Sequence, residues 1–322
     1  MISHRSCASV CRINKIIMSE SVMPYHIPAL AAETIEGLAI RPDGVYVDVT
    51  FGGGGHSRLI MQALGAEGRL FGFDQDEDAY ANRLEDERFQ FVHSNFRYIR
   101  QFLHYYGVTA IDGLVGDLGV SFHHFDSAER GFSFRLEGPL DMRMNQQGKT
   151  TAADIVNGYS EEQLECLFRL YGEVQGARGL AKAIVVSREK QPILHTEELA
   201  EVVGRCTRRD AEKKELAKVF QALRIEVNDE MGALRDMLES ARELLRPGGR
   251  IAILTYHSLE DRMVKNFLRS GNIEGEITKD FYGNILTPFR LVNNKPIMAS
   301  EEEVERNPRS RSAKLRIAEK KG

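Results

Sequence analysis

The chain has 322 residues, 42% hydrophobic and 28% charged, an ordinary globular composition whose length asks for one large domain carrying an insertion, or for two domains. No run of about 18 apolar residues is present to cross a bilayer, and four scattered cysteines (Cys7, Cys11, Cys166, Cys206) exclude a disulfide framework and suit a reducing cytoplasm. A formal net charge of −4 excludes nucleic-acid binding by overall attraction and leaves that task to local basic surface.

Residues 1–22 hold Arg5, Arg12 and Lys15 but neither an apolar core nor a cleavage site, and are read as a disordered extension or a start codon placed too early. Residues 45–50 (VYVDVT) are a β-rich run ending in glycines, and residues 59–64 continue at helical spacing, which reads as strand, turn, helix. Residues 69–74 (RLFGFD), 89–93 (FQFVH) and 111–117 (IDGLVGD) read as the second, third and fourth strands, with helix-like segments between them. Such alternation predicts a parallel, doubly wound α/β sheet.

The alternation then stops. Between residues 122 and 217 no strand pattern is found, whereas residues 161–171, 176–189, 196–205 and 211–237 carry helical periodicity, so an all-helical insertion is expected. Ser160 with Gln163 forms a capping-box pattern, and Thr196 is placed to cap the third of these helices. Helix resumes through Leu245, the run Arg246-Pro-Gly-Gly249 breaks it, and residues 250–256 return as a fifth strand, with residues 285–292 and 314–318 as closing strands. The expected division is a sheet domain of residues 23–121 and 218–322 around a helical, substrate-recognising insertion of residues 122–217.

Asp48-Val-Thr-Phe-Gly-Gly-Gly-Gly-His56 places four glycines where the first strand hands over to a helix, so backbone can approach a ligand with no Cβ between them. Ser57 occupies the position where a dinucleotide fingerprint needs its third glycine, which speaks against NAD. Asp74 ends the second strand 22 residues after Gly52, the distance at which a carboxylate meets ribose hydroxyls. Asp117 ends the fourth strand, where open α/β sheets place ligands and chemistry, with a helix cap as the bland alternative. Two basic clusters, Arg205/Arg208/Arg209/Lys213/Lys214 and Arg306/Arg309/Arg311/Lys314/Arg316/Lys320/Lys321, offer RNA-binding surface or simply solvated faces.

Several ordered strings together resemble the MraW (RsmH) family of small-subunit ribosomal RNA cytosine-N4 methyltransferases. They are Tyr25-His-Ile-Pro-Ala29, Thr50-Phe-Gly-Gly-Gly-Gly-His-Ser57, Asp117-Leu-Gly-Val-Ser121, Glu129-Arg-Gly-Phe-Ser-Phe134, Gly138-Pro-Leu-Asp-Met-Arg-Met144, Phe220-Gln-Ala-Leu-Arg-Ile225, Tyr256-His-Ser-Leu-Glu-Asp-Arg262 and the run from Asn307 to Arg316. The resemblance implies a class I S-adenosylmethionine-dependent methyltransferase with a Rossmann-like sheet and an inserted helical domain. It implies S-adenosyl-L-methionine as cofactor and 16S rRNA, in the small ribosomal subunit or a late assembly intermediate, as substrate; a homodimer is left open, and no membrane is involved. Carried over residue by residue, Gly54, Gly55, His56, Asp74, Phe96 and Asp117 would contact the cofactor. Phe122-His-His124 departs from the family's Ser-Pro-Gln, which puts the contact expected of His124 in doubt, and Lys214-Glu-Leu-Ala-Lys-Val219 departs from its His-Pro-Ala-Thr-Arg.

Cytosine's amino nitrogen is a weak nucleophile because its lone pair is delocalised, and a carboxylate that accepts one of its hydrogens localises that pair. Asp117 is the first candidate for this role and Asp141 the second. Phe132, Phe134 and Tyr256 are candidates to stack the base, with Arg143 and His257 as further substrate contacts. His257, Glu260 and Asp261 lie too close in sequence to complete a metal shell, so no metal is expected and a cap or substrate contact is read for His257. DNA or protein as acceptor, or an assembly factor that only senses the cofactor, are the rival readings.

Overall fold

A strand with apolar residues on both faces belongs in the middle of a covered sheet. Residues 111–117 have that character and become such a strand. A computed structural model describes residues 28–119 and 127–322, so the expectations for residues 1–22 and for His124, and most of the first string, lie outside the described residues. The chain divides into two compact units, one formed by residues up to Gly119 together with Leu234–Gly322 and the other by Val120–Ala233.

The first unit is built on an eight-stranded sheet. Strands β1 (Val45–Asp48), β2 (Arg69–Asp74), β3 (Phe89–His93) and β4 (Ile111–Asp117) are joined by β5 (Leu245–Thr255), β6 (Phe289–Leu291), β7 (Ile297–Met298) and β8 (Lys314–Lys320). The order is β3-β2-β1-β4-β5-β8-β6, with β7 also on β8; β1 to β5 run parallel and β8 lies antiparallel to β5. Strand order therefore reverses between β1 and β4, and the crevice at the carboxyl ends of those two strands is where an open α/β sheet takes its ligand. β4 is buried at every position but its last, Asp117. Helices α1 (Ala31–Leu38), α2 (Gly55–Ala63) and α3 (Ile99–Tyr105) belong to this unit, and Leu38, Tyr46, Ile60, Leu70, Val115 and Leu254 share one of its cores.

The second unit packs α4 (Ala152–Gly158), α5 (Glu161–Leu170), α6 (Ala177–Arg188), α7 (Thr196–Cys206) and α8 (Glu212–Asn228) around Leu164, Phe168, Ala181, Ile184, Leu199, Val203, Val219 and Leu223. The Ser160/Gln163 capping box forms as read. A second one, Thr151 with Asp154, starts α4, a helix the periodicity did not reveal. Thr196 is not a cap: Glu198 accepts the backbone N–H groups of Leu194 and His195 at 2.7 and 3.0 Å, so His195 caps α7, while the Thr196 hydroxyl donates to the Leu136 carbonyl at 2.8 Å. The division falls after Ala233 and not at residue 217, because α8 runs unbroken through that point with Leu216, Val219, Phe220 and Leu223 in the helical core.

The single helix expected over residues 211–237 is two. Asp229 adopts a left-handed conformation (φ 45°, ψ 47°) and separates α8 from α9 (Glu230–Leu244). The Asn228 amide fixes that end of α8 by donating to the Met142 and Arg224 carbonyls and accepting the Met144 N–H, each at 2.8 Å. The Arg246-Pro-Gly-Gly249 run is a bulge within β5: Leu245 pairs with Ile111 and pairing resumes at Arg250 opposite Gly113. After it come α10 (Ser258–Ser270) and α11 (Glu301–Arg306). The strand expected over residues 285–292 shrinks to β6, and β7 was not foreseen.

Candidate active site

The site begins where β1 ends. Asp48 is 1% exposed, and its carboxylate accepts the Ser57 hydroxyl at 2.7 Å and the Thr50 N–H at 3.1 Å. Those bonds only partly offset the loss of water, so burial raises its pKa. Phe51 returns to the sheet through its N–H to the Phe73 carbonyl, and the glycines follow with Gly52 and Gly54 at φ 49° and 74°. An added Cβ at Gly54 would stand 2.5 Å from Arg58 Nη1 and 3.0 Å from the Phe51 ring, whereas at Gly53 it would meet no atom within 4 Å. The turn is thus braced from behind and bare in front. Arg58 donates to the Gly53 carbonyl at 2.6 Å and Asn82 to the Gly52 carbonyl at 3.2 Å, which holds the loop in that shape.

Asp74, at the end of β2, accepts the Gly52 N–H at 2.8 Å and the Asp76 N–H at 2.9 Å. The spacing of 22 residues read from the sequence is therefore a real contact between the acid and the turn. Phe96 lies in the 3-10 turn Phe96–Tyr98 that follows β3, half-buried, beyond the strand adjacent to Asp74's. Asn95 caps this turn by accepting the Arg97 N–H, and its own amide donates to Gln75 at 2.8 Å, which ties the ends of β2 and β3 together.

Asp117 closes the other side of the reversal point. Its N–H donates to Thr50 Oγ1 at 2.6 Å, and its Oδ1 accepts the Tyr256 hydroxyl at 2.7 Å from the end of β5. The side chain is 24% exposed. Burial pushes its carboxyl up to about 7, opposed by the Tyr256 hydrogen bond and helped by the charge of Glu260. Tyr256 is raised in turn by burial and by Asp117, so it stays a donor. His56 is 5% exposed, with Nε2 at 3.3 Å from the Ala29 carbonyl and Nδ1 at 4.0 Å from Asp117. Burial lowers its pKa, and a ring that donates to a carbonyl through Nε2 turns an acceptor nitrogen toward Asp117. Asp48, His56 and Asp117 thus stand on either side of the strand reversal, with burial raising the pKa of both acids and lowering that of the imidazole.

Asp48 and Thr50 carried no role in the sequence reading. The signal for Asp48 was present, since it ends a central strand just as Asp117 does, but its bond to Ser57 and its charge attraction to His56 depend on the fold. Tyr256 is brought to Asp117, as a hydrogen-bond donor to the acid. His257 caps α10 through Nδ1, with Nε2 at 3.1 Å from Glu260, so the cap is the alternative that forms.

The remaining candidates lie in the helical unit. Asp141 spends both oxygens on Arg143, at 2.8 Å to Nε and 2.6 Å to Nη2, and that pair holds its pKa down despite burial. Arg143 also donates to the carbonyls of Gln146 and Gly148 at 3.0 and 2.7 Å, so both side chains build the 141–148 turn. Asp141 is thus engaged by Arg143 through both oxygens, a pairing that favours a structural part over proton acceptance. Phe132 is 3% exposed in the helical core, and its ring has no open face to offer a base. Phe134 is half-buried, edge-on to Phe220 with ring centres 5.6 Å apart.

The donors and acceptors present fit S-adenosylmethionine: a bare glycine turn, a carboxylate bonded to that turn from the end of β2, and an aromatic ring after β3. When bound, that cofactor supplies an electrophilic methyl group. The sheet order and this site define a class I S-adenosylmethionine-dependent methyltransferase, Rossmann-like, with an inserted helical unit. The sequence profile of the MraW methylase family matches residues 23–321, and the chain belongs to that family. It is 60% identical over 304 residues to ribosomal RNA small subunit methyltransferase H of Bacteroides thetaiotaomicron, covering 94% of this chain and all of the relative. It is 60% identical, at the same coverage, to the protein of that name from Parabacteroides distasonis, and 51% identical to that of Flavobacterium johnsoniae, covering 93% and 99% of the two chains.

Proposed function

We propose that this chain methylates the exocyclic N4 of a cytidine in the decoding region of 16S rRNA, acting in the cytoplasm on the small ribosomal subunit or a late assembly intermediate. The observation that carries the reading is Asp117: an acid at the strand reversal, with a pKa of about 7 and one oxygen fixed by Tyr256. The relatives' name, ribosomal RNA small subunit methyltransferase H, points to the acceptor molecule.

Methyl transfer is an in-line displacement, so the enzyme's work is to align the partners and exclude water. The glycine turn with Asp74 and Phe96 holds the donor. Asp117, ionised, accepts a hydrogen of the amino group; as the nitrogen–carbon bond forms and the sulfur–carbon bond breaks, the nitrogen becomes positive and its proton passes to Asp117. Tyr256 keeps the carboxylate's second oxygen in place, and an acid with a pKa near neutral releases the proton to solvent afterwards. Asp48 positions the turn by way of Ser57 and Thr50. Attack at carbon 5 would need a cysteine nucleophile. Among the described residues the cysteines are Cys166 and Cys206, exposed on α5 and α7, and burial raises the Cys206 thiol.

The test is transfer of labelled methyl from S-adenosylmethionine to small subunits from cells lacking the modification, with duplex DNA and subunit proteins as parallel acceptors. Label in 16S rRNA supports the reading. Label only in DNA or protein, or cofactor binding with no transfer to any acceptor, overturns it.

A further inference from the structure

On the sheet unit, apart from the strand reversal, α10 and β8 border a groove of about 230 Å³ lined by Lys265, Arg269, Arg316, Leu268, Leu291 and Asn294 among others. No carboxylate lines it. Arg316 donates its Nε–H to Asp261 at 2.6 Å, and Lys314 stands 3.4 Å from the same carboxylate, so one acid offsets two bases there. Lys265 and Arg269 are exposed, and among the described residues neither has an acid within ion-pair distance. A chain with net charge −4 thus concentrates unneutralised positive charge in one small concavity.

Arg262, Lys265 and Arg269 fall at i, i+3 and i+7 of α10 and so share a face. That helix starts at Ser258, next to Tyr256 and His257, so its basic face begins at the catalytic end of the sheet. Lys265 stands about 10 Å along it. Lys265 and Arg269, with no acid in ion-pair reach among the described residues, beside a wall of amide and aliphatic groups and no carboxylate, match a sugar–phosphate backbone, whose affinity comes from phosphate contacts and which needs no base pocket. We propose that this groove binds phosphates of the rRNA strand flanking the target nucleotide. The proposal rests on the RNA substrate read above and adds to it a path by which that strand leaves the active site.

The test compares the full-length wild type with a Lys265→Ala/Arg269→Ala double variant, both changes lying on the exposed face. The probe is a fluorescent oligouridylate of about a dozen nucleotides, followed by anisotropy across a salt series. Two lost phosphate contacts lower the slope of log affinity against log salt by about 1.4, at roughly 0.7 per contact for a single strand, and weaken binding about tenfold or more at low salt. S-adenosylmethionine binding serves as the check on folding. In methyl transfer to small subunits the loss falls on KM more than on kcat. An unchanged salt slope and affinity overturn the proposal, as does weakened binding to whole subunits with intact oligonucleotide binding, which would assign the groove to a protein partner. If the wild type transfers no methyl to rRNA while the double variant loses oligonucleotide binding, the groove stands and the acceptor reading falls. If the wild type methylates rRNA and the double variant matches it in binding and KM, the reverse holds.

Discussion

Asp117→Asn separates stability from activity, and the structure fixes the sign of both effects. The carboxyl rises from an ordinary 3.8 to about 7 in the fold, chiefly through burial. A group whose folded pKa is raised favours the native state at low pH and costs stability as pH climbs from its unfolded pKa to its folded one. At about 1.36 kcal/mol per unit, a shift of that size is worth at most ~4 kcal/mol above neutral pH, and ~2–3 kcal/mol of it accrues between about pH 5 and about pH 8. The side chain is 24% exposed, and water access reduces the expected change to roughly 1–2 kcal/mol. Asparagine keeps an acceptor for the Tyr256 hydroxyl and removes the titration. Urea unfolding at the two pH values should therefore find the variant gaining on the wild type as pH rises, by that amount, with other titrating groups cancelling in the difference. The same variant should lose methyl transfer by about a hundredfold or more, since the proton acceptor is gone. Equal pH dependence of stability in the two proteins would refute the assignment of a raised pKa.

Asp74→Ala removes the acceptor of the Gly52 N–H and a ribose partner, and calorimetry should find S-adenosylmethionine affinity reduced tenfold or more, about 1.4 kcal/mol; retained affinity would place the cofactor elsewhere. Gly54→Ala sets a Cβ 2.5 Å from Arg58 Nη1 at φ 74° and should cost roughly 1–3 kcal/mol in thermal unfolding, with weaker cofactor binding alongside. Asp141→Ala frees the Arg143 guanidinium and should lower stability while leaving the pH profile of methyl transfer in place; a shift of that profile would return Asp141 to the chemistry. Phe220→Ala, in the helical core against Phe134, should cost about 3–5 kcal/mol in denaturant unfolding.

The parallel half of the sheet was legible because each of its signals is local. Residues 69–74, 89–93 and 111–117 are short β-rich runs between turns, and they became β2, β3 and β4 with the same ends. The acid after the glycine turn was legible for a similar reason, since β2 and the loop before it fix how far Asp74 lies from Gly52. What was hidden depended on burial and on distant partners. Phe132 looks like a stacking ring in sequence, yet packing decides which rings face water, and this one is in a core. Asp141 reads as a free carboxylate until the turn brings Arg143 back onto it. The break at Asp229 leaves no trace in the helical period, because Asn228 and its bonds to Met142 and Met144 set it. β7 is two residues long and paired only with β8, too short for periodicity to register.

Nucleoside mass spectrometry of 16S rRNA, taken from small subunits that lack the modification and were incubated with S-adenosylmethionine and either wild type or Asp117→Asn, tests the central claim most directly. The account expects N4-methylcytidine from the wild type, at a single decoding-region position, and almost none from the variant. Methyl on carbon 5 or on another base, or equal N4-methylcytidine from both proteins, would contradict it.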